Sequence, residues 1–310
     1  AHARSMCRWV GEQLGIPDTL VLPGSTGVIG VPLPIERVEQ GCRQIREHLG
    51  SDTQSLERFS RAIMTTDHWP KWFCTRVGPA TLVGVAKGAG MIEPNMATML
   101  AYFVTDADLP AERLDALLRK AVNRSFNRIS IDSDTSTSDT VAILANGLAG
   151  PVDESAFAKA LDKGCAFLAK EIVRNGEGVT KTIELTVSGA GSQEMAVRIG
   201  RSILNSPLVK TAFHGGDPNW GRIVMAVGKV FEHPVSLDDL EIRFNTDSGI
   251  IRLNNALVNE GSVDLAPLET LLKAEEVQLE VSVGNGGYQE TFWGCDLSQE
   301  FVAENAFYTT

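Results

Sequence analysis

Lys87-Gly-Ala-Gly-Met-Ile-Glu-Pro-Asn-Met-Ala-Thr98, followed at once by the apolar run Met99-Leu-Ala-Tyr-Phe-Val104, decides how this chain is read. Ahead of it stands Ala80-Thr-Leu-Val-Gly-Val85, which has the composition of a strand feeding the loop. Gly88 and Gly90 free the backbone for a turn. Pro94 blocks helix or ladder hydrogen bonding just before the threonine. The expectation is therefore strand, bent loop, buried strand, with Thr98 at the first position of the second strand. A threonine so placed is usually structural. It becomes a nucleophile if the chain is cut in front of it, because its own new α-amine then serves as base.

Outward from this segment, helices and strands intermix. Helical spacing runs from Arg4 to Leu14, Ile35 to Leu49, Leu56 to Ile63, Pro110 to Arg128, Asp153 to Arg174 and Glu194 to Asn205. Strand patterns cover Leu20–Leu22, Val141–Leu144, Lys181–Val187 and the apolar run Ile223–Val227. From Leu237 the chain becomes strand-rich, at 240–244, 249–253, 277–283 and 290–295. The fold class expected is α+β in layers, with a boundary near Leu237.

Composition excludes several functions. The net charge of −11 lacks any Lys/Arg stripe, which argues against nucleic acid as partner. No apolar run approaches a membrane span, and Ala-His-Ala-Arg-Ser-Met-Cys7 lacks a secretory core. Five cysteines, at 7, 42, 74, 165 and 295, show no CxxC spacing and read as reduced thiols. The five histidines form no metal-binding pair, so no catalytic metal is expected.

Four further segments carry possible chemistry. Ser25-Thr-Gly-Val-Ile-Gly30 is either a tight turn or, through a hydroxyl and a backbone N–H, an oxyanion hole. Met64-Thr-Thr-Asp67 and Lys87 form the next pair, because a buried lysine needs a carboxylate partner and a substrate carboxylate can supply one. Arg174-Asn-Gly-Glu-Gly-Val-Thr-Lys181 sets Glu177 between two glycines, as a solvated turn or a binding carboxylate. The last ten residues, Phe301 to Thr310, are a frayed tail or, given Phe307 and Tyr308, a docked one. Asp132-Ser-Asp-Thr-Ser-Thr-Ser-Asp139 lacks the glycine and final glutamate of a calcium loop, and its hydroxyls read as turn and cap formers.

Taken in order from residue 1 to residue 310, these motifs resemble the ornithine acetyltransferase (glutamate N-acetyltransferase) family. The resemblance implies a layered αββα sandwich that cleaves itself between Ala97 and Thr98. It implies Thr98 as catalytic nucleophile, with Thr26 and Gly27 as the oxyanion hole. Thr65 (in preference to Thr66), Lys87, Thr98, Glu177, Asn305 and Thr310 would contact substrate. The substrates implied are N-acetyl-ornithine and glutamate, in arginine biosynthesis, with no cofactor. A cytoplasmic homo-oligomer of cleaved two-fragment units is implied as well. On this scheme residues 1–97 precede the cleavage, 98–236 carry the nucleophile, and 237–310 form a strand-rich region with a docked tail. Family members carry a further N-terminal section, whose absence would leave strand edges unpaired. Two rivals remain: an amidase or aminopeptidase of the same architecture, and an uncleaved binding protein for acetylated amino acids.

Overall fold

The computed structural model describes residues 2–93, 99–246, 249–259 and 264–307. Ala97, Thr98 and Thr310 lie outside them. The first part of the chain is helical, with α1 (His2–Leu14), α2 (Ile35–Gln44) and α3 (Thr53–Ala62). Asp52 caps α3, its carboxylate accepting the Ser55 N–H at 2.7 Å. The strand expected at Leu20–Leu22 does not form. A short 3-10 turn (Asp18–Leu20) and irregular chain replace it. Leu20 and Leu22 are both exposed there, and a strand without a ladder partner has nothing to hold it.

Next come β1 (Lys71–Val77), β2 (Ala80–Lys87), β3 (Leu100–Asp108), α4 (Ala111–Arg124), β4 (Ile129–Ser130), β5 (Thr140–Pro151) and α5 (Glu154–Arg174). A sheet in the order β1-β2-β3-β5 is antiparallel up to β3 and parallel between β3 and β5. The register pairs Lys87 with Leu100, so the Thr98 loop bridges two neighbouring strands of that sheet. Helix α5 is capped by Asp153, which accepts the Ala156 N–H at 2.7 Å. It buries Phe157, Leu161, Cys165, Leu168 and Ile172, one stripe at intervals of three and four. Those side chains share a core with Leu82, Met99, Phe103 and, from α4, Leu118 and Val122.

The rest of the chain holds β6 (Thr182–Ala190), α6 (Gln193–Leu204), α7 (Pro207–Gly215), α8 (Gly221–Gly228), β7 (Glu241–Thr246), β8 (Gly249–Asn254), α9 (Asn255–Asn259), α10 (Ala266–Leu271), β9 (Glu276–Ser282), β10 (Tyr288–Cys295) and α11 (Gln299–Phe307). Its sheet runs β4-β10-β6-β9-β7-β8. The strands after Leu237 thus extend the sheet that β6 already belongs to, and they share its core. Two sheets, each carrying helices, make this an α+β protein. The strand expected at Ile223–Val227 is instead helix α8. A five-residue apolar run does not distinguish the two, and here Ile223, Ala226 and Val227 turn inward at helical spacing.

Candidate active site

Lys87 ends β2 with its side chain buried, and the chain turns at once through Gly88, whose φ of +152° suits glycine. The Lys87 Nζ donates to the Thr65 hydroxyl at 3.3 Å. The neighbouring Thr66 hydroxyl donates to Glu177 Oε1 at 2.7 Å. Three of the expected site residues, Thr65, Lys87 and Glu177, thus meet at the base of the loop that leads to Thr98. Gly90 explains how closely: a Cβ there would stand 2.5 Å from Glu177 Oε2. The Glu177 N–H in turn donates to the Ala89 carbonyl at 2.9 Å.

Asp67, on the far side, is the organiser that the sequence did not single out. Its Oδ1 accepts from Lys71 Nζ at 2.5 Å and from the Gly88 N–H at 2.8 Å. Its Oδ2 accepts the Thr65 N–H at 3.0 Å. Burial pushes the Asp67 carboxyl up, but Lys71 and these hydrogen bonds outweigh it and hold the group below its usual value. The carboxylate is therefore spent on the backbone and on Lys71, which leaves the Lys87 cation for another anion. Burial lowers the Lys87 pKa, opposed by the charges of Asp67, Asp139 and Glu177.

Past Gly90 the loop is clamped by the 132–139 run. Asp132 accepts the Met91 N–H at 2.5 Å and the Ile92 N–H at 2.9 Å. Met91 sits at φ 57°, a left-handed conformation that a non-glycine residue adopts at a cost. The Asp132 contact holds it there. The Glu93 N–H donates to the Asp134 carbonyl at 2.9 Å, and the Thr135 hydroxyl donates to the Glu93 carbonyl. Burial raises the Asp132 pKa, against three backbone hydrogen bonds that pull it down. The run is thus a turn former, as its hydroxyls imply. Its target, the loop before Thr98, was not readable from spacing.

Glu177 and Asn175 are delivered by the C-terminal end of α5. Asn175 is fully buried, its Oδ1 accepting the His68 N–H at 2.6 Å and its Nδ2 donating to the Trp69 carbonyl at 3.3 Å. This amide ties the end of α5 to the Thr65–Asp67 segment. Its signal in the sequence was only an Asn-Gly pair after a helix.

Thr26 and Gly27 lie in the irregular chain between residues 21 and 34. No hydrogen bond among the described residues joins either to Lys87, Thr65 or Glu177. Their neighbour Gly24 comes against the Tyr102 hydroxyl, 2.0 Å from where its Cβ would be. Tyr102 pairs with Val85, two residues before Lys87, so this loop reaches the sheet face that carries Lys87. At the other end, α11 starts beside the site. Ser298 Oγ donates to the Gly178 carbonyl at 2.5 Å, and Phe301 packs on Gly178. Asn305, farther along, is exposed, and its amide donates to the Phe301 carbonyl of its own helix. Phe307 is 89% exposed, so the described part of the tail is docked at its beginning and not at its end. Among the described residues, no cluster of three metal-ligating side chains occurs and no helix is long and apolar enough to cross a membrane. All five cysteines are free thiols.

An ammonium, a carboxylate and two hydroxyls gathered beneath a bent loop can hold a zwitterionic amino acid. Known proteins are similar to this chain over most of its length. The ArgJ family model matches residues 1–310. "Arginine biosynthesis bifunctional protein ArgJ 2" of Clostridium acetobutylicum is 47% identical over 96% of this chain and 75% of its own length. "Glutamate N-acetyltransferase Oat2" of Streptomyces clavuligerus is 42% identical over 100% of this chain and 78% of its own. The crystal structure of an "Arginine biosynthesis bifunctional protein argJ" from Bacillus halodurans superposes with a TM-score of 0.61 at 36% identity, covering 68% of this chain and 100% of that one. By sequence over its whole length, the chain belongs to the ArgJ family, the family of arginine-biosynthesis enzymes in which the glutamate N-acetyltransferases fall.

Proposed function

We propose that this chain transfers an acetyl group from N-acetyl-ornithine to glutamate through an acetyl ester on Thr98, after cleavage of the Ala97–Thr98 bond. The observation that carries this reading is the buried Lys87 with Thr65 and Glu177 at the foot of the loop that ends in Thr98. Lys87 takes the α-carboxylate of the bound amino acid, since Asp67 is already committed to Lys71. Glu177 takes a substrate ammonium or acts on the Thr98 amine.

The Thr98 hydroxyl attacks the acetyl carbonyl carbon and passes its proton to the Thr98 α-amine. An α-amine with an ordinary pKa of about 7.7–8.0 is partly neutral near neutral pH and serves as such a base. Negative charge on the carbonyl oxygen falls to the Thr26 hydroxyl and the Gly27 N–H. The C–N bond breaks, ornithine leaves with the proton, and the acetyl group remains on Thr98. The glutamate amine then attacks the ester carbonyl, and the Thr98 oxygen departs and regains a proton. The two half-reactions need no ternary complex and give ping-pong kinetics.

Intact-mass measurement on fresh protein tests the first step, with fragments 1–97 and 98–310 expected. Thr98→Ala is expected to remain one chain and to transfer nothing, whereas Thr98→Ser keeps some of both activities. Transfer at the wild-type rate by Thr98→Ala would place the nucleophile elsewhere. Ornithine release without acetyl-glutamate would favour an amidase.

A further inference from the structure

Among the described residues, three buried side-chain polar atoms lack a hydrogen-bond partner: Asn127 Oδ1 and both carboxylate oxygens of Asp139. Both residues line one cavity of about 290 Å³ between α4 and the start of β5. Asn127 is only 8% exposed, and its Nδ2 already donates to Asn123 Oδ1 at 2.7 Å, so the unpartnered atom is an acceptor. The Met99 amide lies near Asp139, outside hydrogen-bonding geometry. Two of the donors at the rim are engaged elsewhere. Arg119 donates to Asp115 at 2.7 Å, and the Thr140 hydroxyl donates to the Ser138 carbonyl at 3.2 Å. The remaining wall is apolar, from Leu118, Val122, Phe126 and Val141.

Acceptors without donors, in an apolar enclosure, call for a ligand that donates. A buried polar group left unpaired is costly, and a charged one more so. We infer that this cavity binds a small organic cation, a primary ammonium or guanidinium on an aliphatic stem. The head lies between Asp139 and Asn127 Oδ1, and the stem packs on Leu118, Val122 and Phe126. The volume is roughly twice the ~150 Å³ apolar cavity that accepts benzene, which suits a short alkyl stem with its head group. The cavity adjoins the Lys87 cluster without sharing its hydrogen bonds. Asp139 feels the Lys87 charge, whereas Val141, which pairs with Ala101 one register step from the Lys87–Leu100 pair, faces the opposite side of the sheet.

Calorimetric titration of the whole protein with n-butylguanidine, n-butylamine and the neutral control n-butanol tests this, at a pH where Asp139 is ionised. Both cations are expected to bind one per chain at millimolar or lower concentration, and butanol about tenfold more weakly or not at all. Asp139→Asn is expected to weaken the cations about tenfold or more. Leu118→Trp, which fills the cavity and keeps the carboxylate, abolishes binding, so the test does not hang on one variant's folding. Excess glutamate leaves the cation bound. No binding by the wild-type chain, binding unchanged in both variants, or displacement by glutamate would each overturn the assignment.

Discussion

At the scale of single residues, the site is a competition for charge. Asp67 is shared among Lys71, Gly88 and Thr65, so Lys87 keeps a cation with a hydroxyl for company and no carboxylate of its own. Replacing it by methionine (Lys87→Met) removes a hydrogen bond to a charged group worth roughly 1.5–3 kcal/mol. The expected result is a rise of about tenfold or more in KM for both amino-acid substrates, read in steady-state kinetics. An unchanged KM would make Lys87 structural. Asp139 makes the opposite case, a charge with too little company. Burial pushes its carboxyl up to about 7 from 3.8, against the pull of the Met99 amide and the Lys87 charge. The groups that face it are Lys87 on β2 and the Asp115–Arg119 pair on α4. A carboxyl raised in the fold stabilises the protein while it is protonated, and that contribution is lost as pH rises through about 7. Asp139→Asn mimics the protonated form. It is expected to unfold later than wild type above pH about 7, by about 1–2 kcal/mol once the shift is discounted for partial solvent exposure. The difference should vanish as pH falls toward 3.8. Urea unfolding across that range checks it, and a constant difference would refute the assignment.

Helix α5 decides the geometry at the scale of elements. Its apolar stripe was legible because Phe157, Leu161, Cys165, Leu168 and Ile172 recur at helical intervals. What it carries at its end was not. Asn175 joins the helix terminus to His68 and Trp69, more than a hundred positions earlier, and Glu177 reaches Thr66 across 111. Asn175→Ala leaves the His68 N–H without its partner and takes one of two donors from the Trp69 carbonyl. The expected cost is about 1–3 kcal/mol in urea unfolding, with a higher KM because the Thr65–Asp67 segment is no longer held. A variant with wild-type stability and KM would show that the strand alone positions the segment.

Considering the whole molecule, the first and last parts of the chain approach one site from opposite ends. The Gly24 loop lies on Tyr102, and α11 starts on Gly178, next to Glu177. An acyl-threonine open to water hydrolyses, so transfer to an amine needs the pocket closed. If the tail contributes to that closure, deleting residues 305–310 lowers acetyl-glutamate formation relative to ornithine release. Both products are measured in parallel, and an unchanged ratio removes the tail from acceptor choice.

What the sequence by itself determined were features with a local cause. The strand–loop–strand around Lys87 follows from its glycines, its proline and its apolar run. The long helices follow from apolar spacing, and ArgJ-family membership from motifs in order along the chain. Tertiary structure decided what depends on distant partners. Ile223–Val227 became helix α8 because a short apolar run takes the form its surroundings bury best. Leu20–Leu22 lost its strand for want of a neighbour. Asp67, Asp132 and Asn175 became the holders of the site because each found backbone N–H groups from distant parts of the chain in need of a partner. Period and propensity are set by a few neighbouring residues, whereas the satisfaction of buried polar groups is set by packing across the whole fold.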